Sequence, residues 1–141
     1  MFLLDTNVVS EFRKIRGGKA DPRVADWAST TTPDELYLSV VTIQELELGM
    51  LLAERKGAGH GAVLRQWMEQ YVLPAFSGRI LPVTLEIARR SAALHVPVPR
   101  PVLDMQIAAT AIVNGLTLAT RNVADFGHTG VQILDPWAAA V

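Results

Sequence analysis

Short, predominantly apolar runs alternating with helical patterns constrain this chain more than any other feature. The runs are Phe2-Leu3-Leu4, Leu36 to Val41, Ile80 to Val83, Leu116 to Ala119 and Val131 to Leu134. Runs of this kind suit strands covered on both faces, as in a parallel sheet. Between them, Asn7 to Lys14, Arg23 to Ser29, Thr42 to Lys56, Ala62 to Phe76, Leu85 to Leu94 and Val102 to Asn114 carry helix formers or apolar residues at three-to-four spacing. Strand and helix in alternation mean crossover connections, hence an α/β fold whose sheet has helices on both faces. Val96-Pro97-Val98-Pro99-Arg100-Pro101 cannot continue a helix and reads as a stiff connector within one domain spanning 1–141. Gly57-Ala58-Gly59-His60-Gly61 lacks both a preceding strand and a following Gly-Lys-Ser/Thr, so it reads as a helix-to-helix connection rather than a phosphate loop.

Composition narrows the chemistry. The 141 residues, 50% hydrophobic, suffice for one buried core, and 13 Lys and Arg against 14 Asp and Glu announce no polyanionic or membrane partner by global charge. Without cysteine there are no disulfides or thiolate ligands, which fits a reducing cytoplasm. His60, His95 and His128 are too dispersed to suggest zinc. Asp5 cuts short the first apolar run, so no signal peptide is expected, and Asn114-Gly115 breaks the longest apolar region, so no membrane span is expected.

Four acids fall at the ends of these elements. Ligands of open parallel sheets bind beyond the carboxyl ends of the strands, where strand order reverses. Asp5 ends the first run there, though Asp5 or Asn7 could equally cap the next helix. Glu45 lies in the first turn expected after the second strand; Thr42-Ile43-Gln44-Glu45 also fits a capping box. Glu47 is its competitor, but stands about 200° around the helix, so both cannot face one site. Asp104, just after a first-turn Pro101, opens a helix whose face continues through Ala108 and Ala111, and the helix dipole alone would favour it. Asp125 belongs to Thr120-Arg121-Asn122-Val123-Ala124-Asp125-Phe126, a polar loop at the end of a strand. Each acid has a structural reading of its own, yet all four would meet at one sheet edge. Crowded carboxylates stay ionised only beside cations, and oxygen ligands without Cys or His select Mg²⁺, with Mn²⁺ a substitute. Mg²⁺ in such sites is completed by phosphate oxygens, which points to phosphodiester chemistry.

Four blocks carry a family resemblance: Leu4 to Glu11, Ser39 to Gly49, Asp104 to Ala111 and Thr120 to Phe126. In order, spacing and extent the chain resembles PIN-domain ribonucleases, and among them VapC-type toxins of bacterial toxin-antitoxin pairs. The resemblance implies a three-layer α/β/α fold with a five-stranded parallel sheet and an acidic pocket of Asp5, Glu45, Asp104 and Asp125. Glu45 matches the family's acid because it precedes Leu46 and stands four residues before Gly49. Thr6, Asn7, Thr120 and Asn122 match positions that orient the acids or contact the metal's waters. The implied reaction is Mg²⁺-dependent hydrolysis of RNA, leaving a 5′-phosphate and a 3′-hydroxyl. Implied partners are an RNA substrate, a cognate antitoxin and a second copy of the chain.

RNA would be held by local positive charge. Arg13-Lys14-Ile15-Arg16, continuing to Lys19 and Arg23, is the densest basic stretch, and Arg121 lies in the site loop. A solvated charge run, or an ion pair for Arg121, is the ordinary alternative. Met50-Leu51-Leu52, Trp67, Met68 and Tyr71 are expected mostly in the core, with any surplus forming partner surfaces. Two rival functions remain: a non-catalytic PIN-like binding module, against which the full set of acids argues, and a phospho-acceptor phosphatase. The phosphatase needs an aspartate two residues after the first, where this chain has Asn7.

Overall fold

The computed structural model describes residues 1–57 and 59–138. In chain order its elements are β1 (Phe2–Leu4), α1 (Thr6–Phe12), α2 (Pro22–Ser29), β2 (Leu36–Ser39), α3 (Val40–Lys56), α4 (His60–Trp67), β3 (Ile80–Leu81), α5 (Leu85–Ala93), α6 (Val102–Val113), β4 (Thr117–Ala119), α7 (Val123–Phe126) and β5 (Ile133–Leu134). The five strands form one all-parallel sheet in the order β3-β2-β1-β4-β5. The chain therefore builds outward from β1 to one side, returns, and builds from β1 to the other. The reversal lies between β1 and β4.

Successive strand residues face opposite sides of a sheet, and here they divide the core in two. Leu4, Leu36, Leu38 and Ala119 pack with Val8, Val9, Val24, Met50 and Met68, so α1 to α4 cover one face. Leu3 and Leu118 pack with Met105, Ile107, Ala108 and Ala111, placing α6 over the other. This is the three-layer α/β/α arrangement expected.

Several boundaries differ from the sequence expectation. The second strand stops at Ser39, not Val41, because Ser39 Oγ accepts the Val41 N–H at 3.0 Å and caps α3 there. The helix expected over Ala62 to Phe76 starts at His60 and changes character: α4 gives way to a π-helical turn over Met68–Val72 and a last turn over Leu73–Ala75. In the wide turn the Leu73 N–H bonds the Met68 carbonyl five residues back, which leaves room for Pro74, a residue with no N–H to give. Pro101 sits at the N-cap of α6 rather than inside its first turn. Gly57 and Gly59 adopt left-handed φ values of 71° and 79° at the end of α3 and the start of α4; Ala58 lies outside the described residues. Val96 to Pro101 is a non-helical connector, as expected. Among the described residues no helix is long and apolar enough to cross a membrane.

Candidate acidic site at the sheet reversal

Asp5 and Thr120 follow β1 and β4 directly, at the carboxyl ends of the two strands between which the order reverses. Ladder pairing runs past both strands: the Asp5 N–H donates to the Ala119 carbonyl at 2.9 Å, and the Thr120 N–H to that of Leu134 at 3.0 Å. Asp5 is 5% exposed and Thr120 is fully buried. A carboxylate so placed requires donors, and it has them. The Thr6 N–H donates to Oδ1 at 2.8 Å and the Thr120 hydroxyl to Oδ2 at 2.7 Å, with Asn7 Nδ2 at 3.5 Å. The Asn122 N–H in turn donates to Thr120 Oγ1 at 3.0 Å, fixing that hydroxyl's free direction toward Asp5. Asp5 thus caps α1 and faces the site at once.

Glu45 is reached from α3. Because the helix starts at Val40, Glu45 lies in its second turn, and the capping box expected from Thr42 does not form. Thr42 and Glu45, three residues apart, instead share a helix face turned toward Thr6. The Thr6 hydroxyl donates to Glu45 Oε1 at 2.6 Å, and Thr42 Oγ1 lies 3.2 Å from the same Thr6 oxygen. Since a carboxylate only accepts, the single Thr6 proton goes to Glu45 and the Thr42 hydroxyl is placed to donate to Thr6.

Asp104, the third residue of α6, and Asp125, exposed on α7, complete the group electrostatically. Burial first, then the charges of Asp5, Glu45 and Asp125, push the Asp104 carboxyl up to about 6. Burial likewise raises Asp5 above the ordinary range, opposed by the Thr120 and Thr6 hydrogen bonds and reinforced by Glu45 and Asp125. Glu47 is not among the charges that raise either of them.

Among the described residues every ion pair lies elsewhere: Lys14 with Glu11, Arg23 with Asp21, and Arg65 with Glu54 and Glu69. Like charges held together without a cation are the donor set for a hard metal ion. Among the described residues no three acids or histidines converge closely enough to cage an ion by themselves. The donors themselves are carboxylate oxygens, the ligand chemistry that a hard ion such as Mg²⁺ accepts.

The remaining expected residues divide. Thr6, Asn7 and Thr120 touch the acids through their side chains; Asn122 does so only through its backbone, at one remove. Among the described residues Arg121 pairs with no acid, and its guanidinium lies over the Trp137 ring, 5.3 Å from the centroid. Lys14 is tied to Glu11 at 3.1 Å, while Arg13 and Arg16 lie over Trp67 and Tyr71. Thr42 is a site residue that sequence reasoning assigned to a helix cap; its three-residue spacing from Glu45 is the signal that marks it.

Known proteins supply the context for this geometry. The family profile described as PIN domain matches residues 2–130. The VapC ribonuclease Y4jK of Sinorhizobium fredii is 35% identical over 99% of this chain and all of its own length. The toxin FitB of Neisseria gonorrhoeae is 38% identical over 97% of this chain and 99% of its own. The crystal structure of FitAcB from Neisseria gonorrhoeae superposes with a TM-score of 0.87 at 35% identity, covering 99% of this chain and 100% of that one. A sheet with acids gathered at its reversal, a family profile spanning nearly all of the sequence, and full-length relatives above a third identical together make this chain a member of the PIN domain family.

Proposed function

We propose that this chain is a Mg²⁺-dependent endoribonuclease that hydrolyses RNA phosphodiester bonds and serves as the toxin of a cytoplasmic toxin-antitoxin pair. The observation that carries the reading is a set of four mutually repelling carboxylates at the sheet reversal, Asp104 among them pushed up to about 6, with no ion pair to any of them among the described residues. Asp5, Glu45 and Asp104 would hold or orient the ion, with Mn²⁺ as a substitute, and Asp125 at the rim would position water or support a second ion. Mg²⁺ bound there would polarise the phosphate and lower the pKa of a water. Thr120 would aim Asp5 and Thr6 would aim Glu45 through their hydroxyl hydrogen bonds, the Thr120 bond also opposing the upward shift of Asp5. Relatives named as a ribonuclease and as a toxin support the activity and the role. A cognate antitoxin and a second copy of the chain are the protein partners proposed with it.

Mapping cleavage products of total RNA tests the reading. We expect cuts with a 5′-phosphate in Mg²⁺, none in EDTA, and none from Asp104→Asn. Equal cleavage by that variant would overturn the assignment, and co-purification with the product of an adjacent short gene tests the partner.

A further inference from the structure

Thr42 is fully buried on α3, and its hydroxyl is turned away from its own helix. A threonine inside a helix commonly bonds back to the carbonyl three or four residues earlier, as Thr110 does to Gln106 at 2.7 Å. Among the described residues the Thr42 hydroxyl has one partner instead, the Thr6 hydroxyl at 3.2 Å. Two hydroxyls and one carboxylate can then be ordered in one direction only. Were Thr6 to donate to Thr42, the Thr42 proton would be buried and unpaired, and Glu45 would lose its donor at 2.6 Å. The order of donation is therefore Thr42 to Thr6 to Glu45. It ends on Oε1, and among the described residues no group donates to Oε2. Thr6 also serves the neighbouring acid, since its N–H donates to Asp5 Oδ1 at 2.8 Å. One residue thus ties two carboxylates together, and Thr42 fixes the direction of its hydroxyl.

We propose that Thr42 is a positioning residue that sets the site's choice of metal: acting through Thr6, it pins Glu45 by one oxygen so that the other alone is presented to the ion, which favours Mg²⁺ over Ca²⁺. The inference rests on the metal-dependent reading above. Mg²⁺ is small and demands near-ideal octahedral geometry, whereas Ca²⁺ takes more oxygens, accepts both from one carboxylate and tolerates a flexible arrangement. Discrimination between the two ions is therefore a matter of ligand number and flexibility. A glutamate free to turn offers both oxygens in many orientations. Held at Oε1 by a hydroxyl that is itself held, Glu45 offers one oxygen in few.

The test measures binding of Mg²⁺ and of Ca²⁺ to the full chain by calorimetry, without RNA. Thr42→Val keeps the side-chain shape and removes the hydroxyl. It should weaken Mg²⁺ binding about 10- to 100-fold, the range for losing an outer hydrogen bond to a metal ligand, and Ca²⁺ binding less, so the preference for Mg²⁺ narrows. Thr42→Ser keeps the hydroxyl and should retain the parent's preference. In a Thr6→Val background Thr42→Val should change neither affinity further, because Thr42 acts only through Thr6. Should Thr42→Val melt too low to measure, Thr6→Val, at a half-buried position, must show the same narrowing. An unchanged ratio of the two affinities, an equal loss in Thr42→Ser, or additive losses in the double variant would overturn the inference and leave the metal site standing. No Mg²⁺ uptake by the unmodified chain would remove the metal-dependent reading and this inference with it.

Discussion

At the scale of single residues, the site trades stability for charge, and Asp104 shows it most directly. Its carboxyl sits at about 6 in the folded chain against an ordinary 3.8. Between those values the folded state holds the proton more tightly than the unfolded chain, so the contribution of Asp104 to metal-free stability is fullest below 3.8 and is lost as pH rises through 6. Asp104→Asn removes that loss: in EDTA its Tm should exceed the parent's at pH 7.5 and match it near pH 4, although cleavage is abolished. Added Mg²⁺ should raise the parent's Tm at pH 7.5 and do little at pH 5, where proton and metal compete. Thermal melts across that range check both, and a variant no more stable than the parent in EDTA at pH 7.5 would contradict the shift. Thr120→Val is the complementary change, deleting the 2.7 Å donor to buried Asp5. It should cost about 1.5–3 kcal/mol at pH 7, nearer 0.5–1.5 once Asp5 is protonated, as read by denaturant unfolding at two pH values. Asp5 itself was legible in the sequence as a carboxylate ending a buried strand. Whether it capped a helix or faced a site was not, because both readings use the same carboxylate; in the structure Oδ1 caps α1 while Oδ2 accepts from Thr120 at the sheet reversal.

At the scale of elements, the strand-helix alternation was readable because burial on both faces leaves an apolar signature that survives in very short strands. Element ends were not, since they depend on which of several polar residues wins a cap. Ser39 wins over Thr42, which moves the start of α3 back to Val40, carries Glu45 into the second turn and frees Thr42 to bond Thr6. The polar loop expected at Asp125 instead makes the short helix α7, held by the buried Phe126, an anchor that no local pattern announces. The junction of α3 and α4 shows how tightly one such element is set. A methyl group on Gly61 would come within 2.4 Å of the Glu54 backbone nitrogen, and Arg65 clamps Glu54 at 2.7 and 2.9 Å across the same crossing. Gly61→Ala should therefore push α4 from α3 at a cost of about 1–3 kcal/mol and displace Trp67, which lines a groove beside Glu45. Unfolding midpoints measure the first effect and Trp fluorescence the second; a variant as stable as the parent would show that the crossing can open freely.

At the scale of the whole molecule, charge is nearly balanced, with 13 basic and 14 acidic side chains, but it is sorted in space. Carboxylates gather where strand order reverses, and Arg13 and Arg16 lie over Trp67 and Tyr71 along α4 and its continuation. This sorting could not be read from composition, because it arises only when β1, α3, α6 and β4 bring Asp5, Glu45, Asp104 and Thr120 to one edge. It has a consequence for metal binding. Four ionised carboxylates against one Mg²⁺ leave the pocket two charges negative, so a substrate phosphate meets repulsion until a second ion or the neighbouring arginines offset it. Phosphate oxygens are also the ligands that complete a partly hydrated Mg²⁺. Metal and RNA should therefore bind with positive coupling, each tightening the other by the same factor. Calorimetric titration of Mg²⁺ with and without a non-cleavable RNA measures that factor. Ordinary couplings of about 1–3 kcal/mol correspond to roughly 5- to 150-fold. Arg13→Gln with Arg16→Gln should shrink it, since the charge that draws the phosphate in is then reduced. Identical Mg²⁺ affinities with and without RNA would mean that the acids take their ion independently of substrate, and that the sorting of charge serves RNA capture alone.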